Sequence, residues 1–145
     1  MADETSSVST HISVRIDRPV NVVYEFTSNP EHLPEWASGL GSGMEHVDGK
    51  WLAHSPMGLV EVAFAPTNEF GVLDHVVTTD DGQRFYNPMR VISAGTPGTD
   101  DASEVVFSLR GIPNQTEEEA AADEATIRSD LNTLKQLLER SHPTD

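Results

Sequence analysis

The 145-residue sequence contains no cysteine, few basic residues and no long apolar run. The absence of cysteine excludes disulfides, thiolate chemistry and cysteine-ligated zinc sites. Apolar runs of only a few residues are too short to cross a bilayer as a helix, so we expect no stable membrane insertion. With 9 Lys and Arg against 24 Asp and Glu, the net charge of −15 repels phosphate backbones, and we expect no nucleic acid partner.

The first ten residues, MADETSSVST, are acidic and polar. They lack the basic and apolar regions of a signal peptide, and we therefore expect a cytoplasmic protein. The length predicts one domain over 1–145, with flexible tails at about 1–9 and 142–145. The six histidines have no metal-site spacing such as HExxH, and no phosphate-binding glycine motif is present, so neither a metal nor a cofactor is predicted.

The middle of the chain has the pattern of consecutive strands. HISVRID alternates as a first half-buried strand, and it is followed by two short helices, one starting near Pro19 and one running towards Trp36. Six more strands are predicted at about 43–47, 50–55, 58–65, 69–79, 83–93 and 103–110. Their turns fall at 48–49, 56–57, 67–68 and 81–82, and such short connections are typical of an antiparallel meander.

The C-terminal stretch TEEEAAADEATIRSDLNTLKQLLER predicts a long helix. Thr116 followed by Glu119 has the form of a capping box, and acidic residues crowd the first turns. Ile127, Leu131, Leu134 and Leu138 form its apolar stripe. Because one helix cannot fill the concave side of a strongly curved sheet, we expect a cavity between sheet and helix.

Four stretches resemble a known superfamily: VRIDRPVNVVYEFTSNPEHLPEW, NEFGVLDHVV with NPMRV, ASEVVFSL, and DLNTLKQLLE. Together with the order of elements they resemble the helix-grip fold of the START and birch-pollen-allergen (SRPBCC) superfamily, and its bacterial polyketide cyclase/dehydrase and lipid-transport branch in particular. The resemblance implies an α+β fold with a seven-stranded curved antiparallel sheet around the long C-terminal helix. Members bind lipids, polyketides or hormones, and some act as cyclases.

The turns predict which residues share a face of the sheet. A two-residue turn at Asp81-Gly82 places Tyr86 opposite Val77 and Arg90 opposite Leu73, and the other turns extend the pairing to Val60 opposite His75. The face taken as concave then carries Met44, His46, Trp51, Ala53, Val60, Val62, Phe64, Leu73, His75, Val77, Tyr86, Arg90 and Ile92. The other face carries Glu45, Lys50, Leu52, Glu61, Ala63, Val72, Asp74, Phe85, Asn87 and Met89.

This concave face predicts a mostly apolar ligand site with a few orienting polar groups. Arg90 would supply charge-assisted hydrogen bonds to a ligand, and His75 could donate or accept a proton near neutral pH. An alternative is an internal ion pair between Arg90 and Asp130, whose position on the helix stripe faces the sheet. The resemblance places Trp36 over the mouth of the pocket, where it would pack in the core or touch ligand. The candidate ligand-binding residues are Trp36, Met44, His46, Trp51, Val60, Val62, His75, Tyr86, Arg90 and Asp130.

Three functions are compatible with these patterns. The favoured one is binding of a hydrophobic small molecule, such as a lipid or an aromatic polyketide, by a monomer or homodimer. The second is a polyketide cyclase or dehydratase that uses His75 or Tyr86 as general acid or base. The third is a protein-interaction module like the chaperone-regulating relatives, with the acidic surface as its docking face.

Overall fold

A computed structural model describes residues 9–40, 43–56, 58–96 and 100–140, and it shows an α+β fold. The predicted tails, apart from residue 9, lie outside these residues, as does Met57 of the predicted turn at 56–57. The strands are β1 (Thr10–Ile16), β2 (Met44–Val47), β3 (Lys50–Ser55), β4 (Gly58–Phe64), β5 (His75–Thr79), β6 (Arg84–Asn87), β7 (Met89–Ser93) and β8 (Ser103–Leu109). The α-helices are α1 (Val20–Thr27), α2 (Leu33–Trp36) and α3 (Glu117–Arg140), with 3-10 turns at Pro30–His32 and Ser38–Leu40.

The strands form two antiparallel sheets, in the orders β2-β3-β4-β5-β6 and β1-β8-β7. The described chain thus has eight strands, and the predicted count of seven is not confirmed. The difference arises at Pro88, which has no backbone N–H and divides the predicted strand 83–93 into β6 and β7. Backbone bonds still link the segment before β5 to β7, since Leu73 N–H donates to Met89 O at 2.8 Å and Val91 N–H donates to Gly71 O at 2.9 Å.

The first hairpins confirm the predicted pairing. His46 lies opposite Trp51, and Trp51 lies opposite Val62. Asp48 and Gly49 connect β2 to β3 with φ of 52° and 78°, which is the positive-φ pair that a tight primed turn requires. Met44, His46, Trp51, Val60 and Val62 therefore share one face, as predicted.

The β4–β5 connection is longer than predicted, because β5 begins at His75 instead of residue 69. Phe64 lies opposite His75, so the register is shifted by four residues from the predicted pairing of Val60 with His75. An even shift keeps every side chain on its predicted face. His75 therefore stays on the face of Val60 and Val62.

The predicted register of the β5–β6 hairpin is wrong by one residue. Thr79 N–H donates to Gln83 O at 2.9 Å, which makes a three-residue loop whose last residue, Gly82, has a φ of 92°. Tyr86 consequently lies opposite Val76 instead of Val77. A slip of one residue reverses both faces of a strand, so Tyr86, Arg90 and Ile92 lie on the outer face. Phe85, Asn87 and Met89 lie on the inner face.

The long helix α3 is confirmed together with its cap. Thr116 N–H donates to Glu119 Oε1 and Glu119 N–H donates to Thr116 Oγ1, both at 3.0 Å, which is the predicted capping box. Leu131, Leu134 and Leu138 are buried in one core with residues of both sheets. In the part of the chain that the structure describes, no helix is both long and apolar enough to span a bilayer.

Candidate functional site

The inner face of the five-stranded sheet is apolar and only partly covered. Ala53, Val60 and Val62 at its centre are buried in the core that includes α3. Around them Met44, Trp51, Phe64, Val77 and Phe85 are only half-buried. The backbone of α3 lies against β1, β8 and α2, on the three-stranded side of the core. Apolar side chains with partial exposure on the helix-facing side of a sheet are the features of an open apolar binding surface.

At the β2 edge of this face, His46 and Trp51 stack on each other. Their ring centroids are 4.3 Å apart and their planes differ by 2°, as expected for residues directly opposite on β2 and β3. His46 is exposed and Trp51 is half-buried, so the pair forms the solvent-facing end of the inner face.

His75 is the polar group of the buried end. Its ring lies between Phe64, at a centroid distance of 4.9 Å, and Phe107, at 6.1 Å. Nδ1 lies 3.0 Å from the carbonyl oxygen of Leu73, an acceptor, so Nδ1 carries the proton and Nε2 is left with its lone pair. Burial lowers the pKa of His75 below its usual value, although the Leu73 carbonyl and the nearby Asp74 oppose this. The ring is therefore neutral at pH 7, and Nε2 has no partner among the described residues.

Trp36, from α2, is part of the buried core, with a relative exposure of 6%. Its indole Nε1 is buried without a hydrogen-bond partner among the described residues. An unpaired buried donor is costly, which makes this N–H available to an acceptor of a bound molecule.

Asp130 does not pair with Arg90, and that predicted ion pair is wrong. Its Oδ1 accepts a hydrogen bond from the backbone N–H of Ser38 at 3.1 Å, which ties α3 to the 3-10 turn after α2. Burial raises the pKa of Asp130, and the hydrogen bonds from Ser38 oppose the rise only in part. The carboxylate at neutral pH is thus a buried charge without a cationic partner among the described residues.

Asp130→Asn is expected to raise the melting temperature at pH 7 by a few degrees. Asparagine keeps an acceptor for Ser38 N–H and removes the buried charge. The raised pKa means that the folded state binds the proton more tightly, so stability is lost as pH rises through the folded pKa. The advantage of the variant should therefore disappear below about pH 4, where the carboxyl is protonated in both states. Thermal melts at pH 7 and pH 4 measure this; an equal gain at both values would contradict the assignment.

Tyr86 and Arg90 belong to a separate cluster on the outer face, centred on Asp74. Tyr86 Oη donates to Asp74 Oδ2 at 2.6 Å, and Met89 N–H donates to Oδ1 at 2.8 Å. Arg90 adds two bonds, from Nε at 3.1 Å and Nη2 at 3.0 Å. Partial burial of Asp74 raises its pKa, but these hydrogen bonds more than offset the rise and hold the pKa at about 2. This cluster joins β6 to β7 across Pro88, and neither Tyr86 nor Arg90 faces the inner surface.

The outer face also carries a groove of about 570 Å³, with a floor of small side chains. Ala63 and Val76 are paired across β4 and β5, and Glu61, Arg84 and Tyr86 stand around them. The groove is open to solvent, and Phe64 and His75 of the inner face also contribute to its lining.

Sequence reasoning missed Phe85, Asn87 and Met89 on the inner face, and Asp74 as the partner of Arg90. A signal for the correct register was present in the residues themselves. Phe85, Met89 and Val91 alternate with Arg84 and Arg90, which is the pattern of an apolar inner and a charged outer face. The assumption of a two-residue turn at Asp81-Gly82 took precedence over this alternation.

The fold is similar to that of several solved structures. A START superfamily protein from Mycobacterium smegmatis is 13% identical, with a TM-score of 0.67 over 92% of this chain and 98% of that chain. DynU16, a protein in the dynemicin biosynthetic locus, is 15% identical, with a TM-score of 0.65 over 92% of this chain and 48% of its own. Ara h 8.0201 is 12% identical, with a TM-score of 0.61 over 90% of this chain and 96% of that chain.

No family model and no curated protein matches the sequence. At these identities the structural similarity establishes the fold alone. The chain has the START-like helix-grip fold, and the resemblance seen in the sequence is confirmed at that level.

Proposed function

We propose that the protein binds a hydrophobic small molecule, such as a lipid or an aromatic polyketide, between the inner face of the five-stranded sheet and α3. The observation that supports this best is the half-buried apolar surface around a buried, neutral His75. Similarity to a START superfamily protein, and to a protein of the dynemicin biosynthetic locus, is in keeping with such a ligand. A cytoplasmic location and a monomeric or homodimeric state remain predictions.

The polar groups near this surface favour a ligand with both a hydrogen-bond donor and an acceptor. His75 Nε2 accepts, and Trp36 Nε1 donates. A phenol or an enol next to a carbonyl, as in aromatic polyketides, carries both kinds of group. Asp130 lies on α3 beside the turn that follows Trp36, where a ligand entering past α2 would meet it.

An enzymatic role of the cyclase or dehydratase type would depend on His75 acting alone. The side chains of His75 and Tyr86 belong to opposite faces of the sheet, and the Tyr86 phenol is bonded to Asp74, so His75 is the candidate acid or base on the inner face. A neutral imidazole with a free Nε2 is a competent base. Turnover of a bound polyketide that is lost in His75→Phe, with binding retained, would establish this second function.

The binding proposal predicts that an uncharged apolar dye, N-phenyl-1-naphthylamine, gains fluorescence with the purified protein and that Trp51→Arg weakens this binding about tenfold or more. A cation at the open end of the inner face would have to be desolvated beside the dye. Leu52→Arg is the matched control, because it adds the same charge at the next position of β3, on the outer face. Dye binding that is lost equally in both variants, or unchanged in both, would place the ligand elsewhere.

Native mass spectrometry of protein purified from its own host would identify a co-purifying molecule directly. A bound lipid or polyketide mass in the wild type, absent in Trp51→Arg, is the expected result.

A further inference from the structure

β6 has one edge that no described strand covers. The bond from Thr79 N–H to Gln83 O makes these two residues a hydrogen-bonded pair of the β5–β6 ladder. In an antiparallel ladder every second pair is hydrogen-bonded, so the next such pairs contain Phe85 and Asn87. Phe85 and Asn87 therefore direct their backbone groups towards β5. Arg84 and Tyr86 direct theirs the other way.

The neighbouring strand ends before it reaches these groups. β8 pairs with β7, and Ser108 N–H still donates to Pro88 O at 3.0 Å. The strand ends at Leu109, one residue later. Within the described residues the backbone N–H and C=O groups of Arg84 and Tyr86 have no partner, so they form an open edge of four groups, two donors and two acceptors.

The surroundings of this open edge are basic, in a protein with a net charge of −15. Arg84 stands on it, Arg90 lies beyond Tyr86, and Arg110 follows the end of β8. Arg110 is close enough to Tyr86 to act on its phenol, although the bond to Asp74 has the larger effect and raises the pKa of Tyr86. Arg84 and Arg110 have no acidic partner among the described residues. Two basic residues, Arg84 and Arg110, thus stand at this uncovered stretch of strand, beside Arg90, which is paired with Asp74.

We propose that the open edge of β6 binds an extended acidic peptide segment of a partner protein by strand addition. The added strand would exchange its backbone bonds with Arg84 and Tyr86. Its two residues opposite these lie on the outer face, beside Arg84 and Arg110, and are Asp or Glu. The residue between them lies opposite the half-buried Phe85 on the inner face and is apolar.

The added strand is antiparallel to β6, so the two acidic residues of the acidic–apolar–acidic pattern lie directly opposite Arg84 and Tyr86 and make the backbone bonds with them. A second copy of this chain fits the edge poorly. Antiparallel pairing of β6 with β6 of a second copy would bring Arg84, Arg90 and Arg110 of both copies together along one short ladder. Their like charges would repel.

The probe is the acetylated and amidated peptide Thr-Val-Glu-Val-Glu-Val-Thr, titrated into isotope-labelled protein and followed by amide shifts. We expect saturable binding with the largest shifts at Arg84 and Tyr86. Arg84→Glu should weaken it about fivefold to tenfold, since one surface attraction becomes a repulsion. Lys50→Glu makes the same change in net charge at the β2–β3 turn, away from β6, and should change the affinity less than about twofold.

A peptide methylated at the backbone nitrogens of both Glu residues keeps its charge and loses the ladder bonds, so it should not bind measurably. Equal binding of the methylated peptide, or equal losses in the two protein variants, would overturn strand addition. So would the absence of saturable binding, or a dimer in light scattering that Arg84→Glu makes monomeric, because a second copy would then occupy the edge. Arg84→Gln, with an expected loss of about twofold to fourfold, replaces Arg84→Glu if that variant misfolds.

Discussion

Leu134→Ala is expected to destabilise the protein by about 2–5 kcal/mol. Leu134 is fully buried at the centre of the α3 stripe, between Leu131 and Leu138. Truncation removes the apolar contact of α3 with the sheets and leaves a cavity that a close-packed core fills only in part. Urea unfolding at pH 7 measures the loss, with an unchanged denaturant slope showing that the folded state is otherwise intact.

Gln136→Ala is the matched control for this prediction. Gln136 lies two residues further along α3 and is exposed, so the change should alter stability by less than about 0.5 kcal/mol. Similar losses at both positions would mean that α3 does not pack through the Leu131, Leu134 and Leu138 stripe.

Asp74→Ala is expected to destabilise by about 2–4 kcal/mol. The variant leaves the N–H of the buried Met89 without an acceptor, and it removes the partner of both Tyr86 Oη and the Arg90 guanidinium. These bonds hold the junction at Pro88, where β6 leaves one sheet and β7 joins the other. Thermal and urea unfolding at pH 7 measure the loss, and Asp80→Ala, an exposed acid of the neighbouring loop, is the control.

The lowered pKa of Asp74 also predicts how the stability difference between wild type and Asp74→Ala depends on pH. The pKa of Asp74 is depressed to about 2, so its stabilisation is present above the unfolded value near 3.8 and is lost as pH falls through about 2. The difference in unfolding free energy between wild type and Asp74→Ala should therefore narrow between pH 4 and pH 2.

The stability effect of Arg90→Met should be coupled to that of Asp74→Ala and should add to that of Asp130→Asn. Energetic coupling between the Arg90 and Asp130 variants would instead support the Arg90–Asp130 ion pair that the structure contradicts.

The fold could be predicted from the sequence because its elements have strong local signals. The capping box at Thr116 and Glu119, and the stripe through Leu134, determine α3 within a few residues. The Asp48-Gly49 turn determines the β2–β3 hairpin, since the positive φ that its two positions need is one that glycine and aspartate tolerate. Each of these features depends on residues close together in the chain.

The site was harder to predict, because faces depend on register and register depends on loop length. Asp81-Gly82 allows both a two-residue loop and the last two positions of a three-residue loop, and Thr79 and Gln83 select the second. A shift of one residue in this register decides whether Arg90 lies on the inner face, where it could contact a ligand, or on the outer face, where it binds Asp74. Asp130 is buried, yet its partner is a backbone N–H of Ser38 that no side-chain pattern indicates.

The central claim, a ligand on the inner face, is tested most directly by methyl NMR during titration with N-phenyl-1-naphthylamine. Valines on the inner and the outer faces of the two sheets provide the comparison. We predict saturable shifts for the methyl groups of Val60, Val62 and Val77, which face α3, and none for those of Val76 and Val106, which face outwards. Shifts confined to Val76, in the outer groove, or absent from both sets, would contradict the claim.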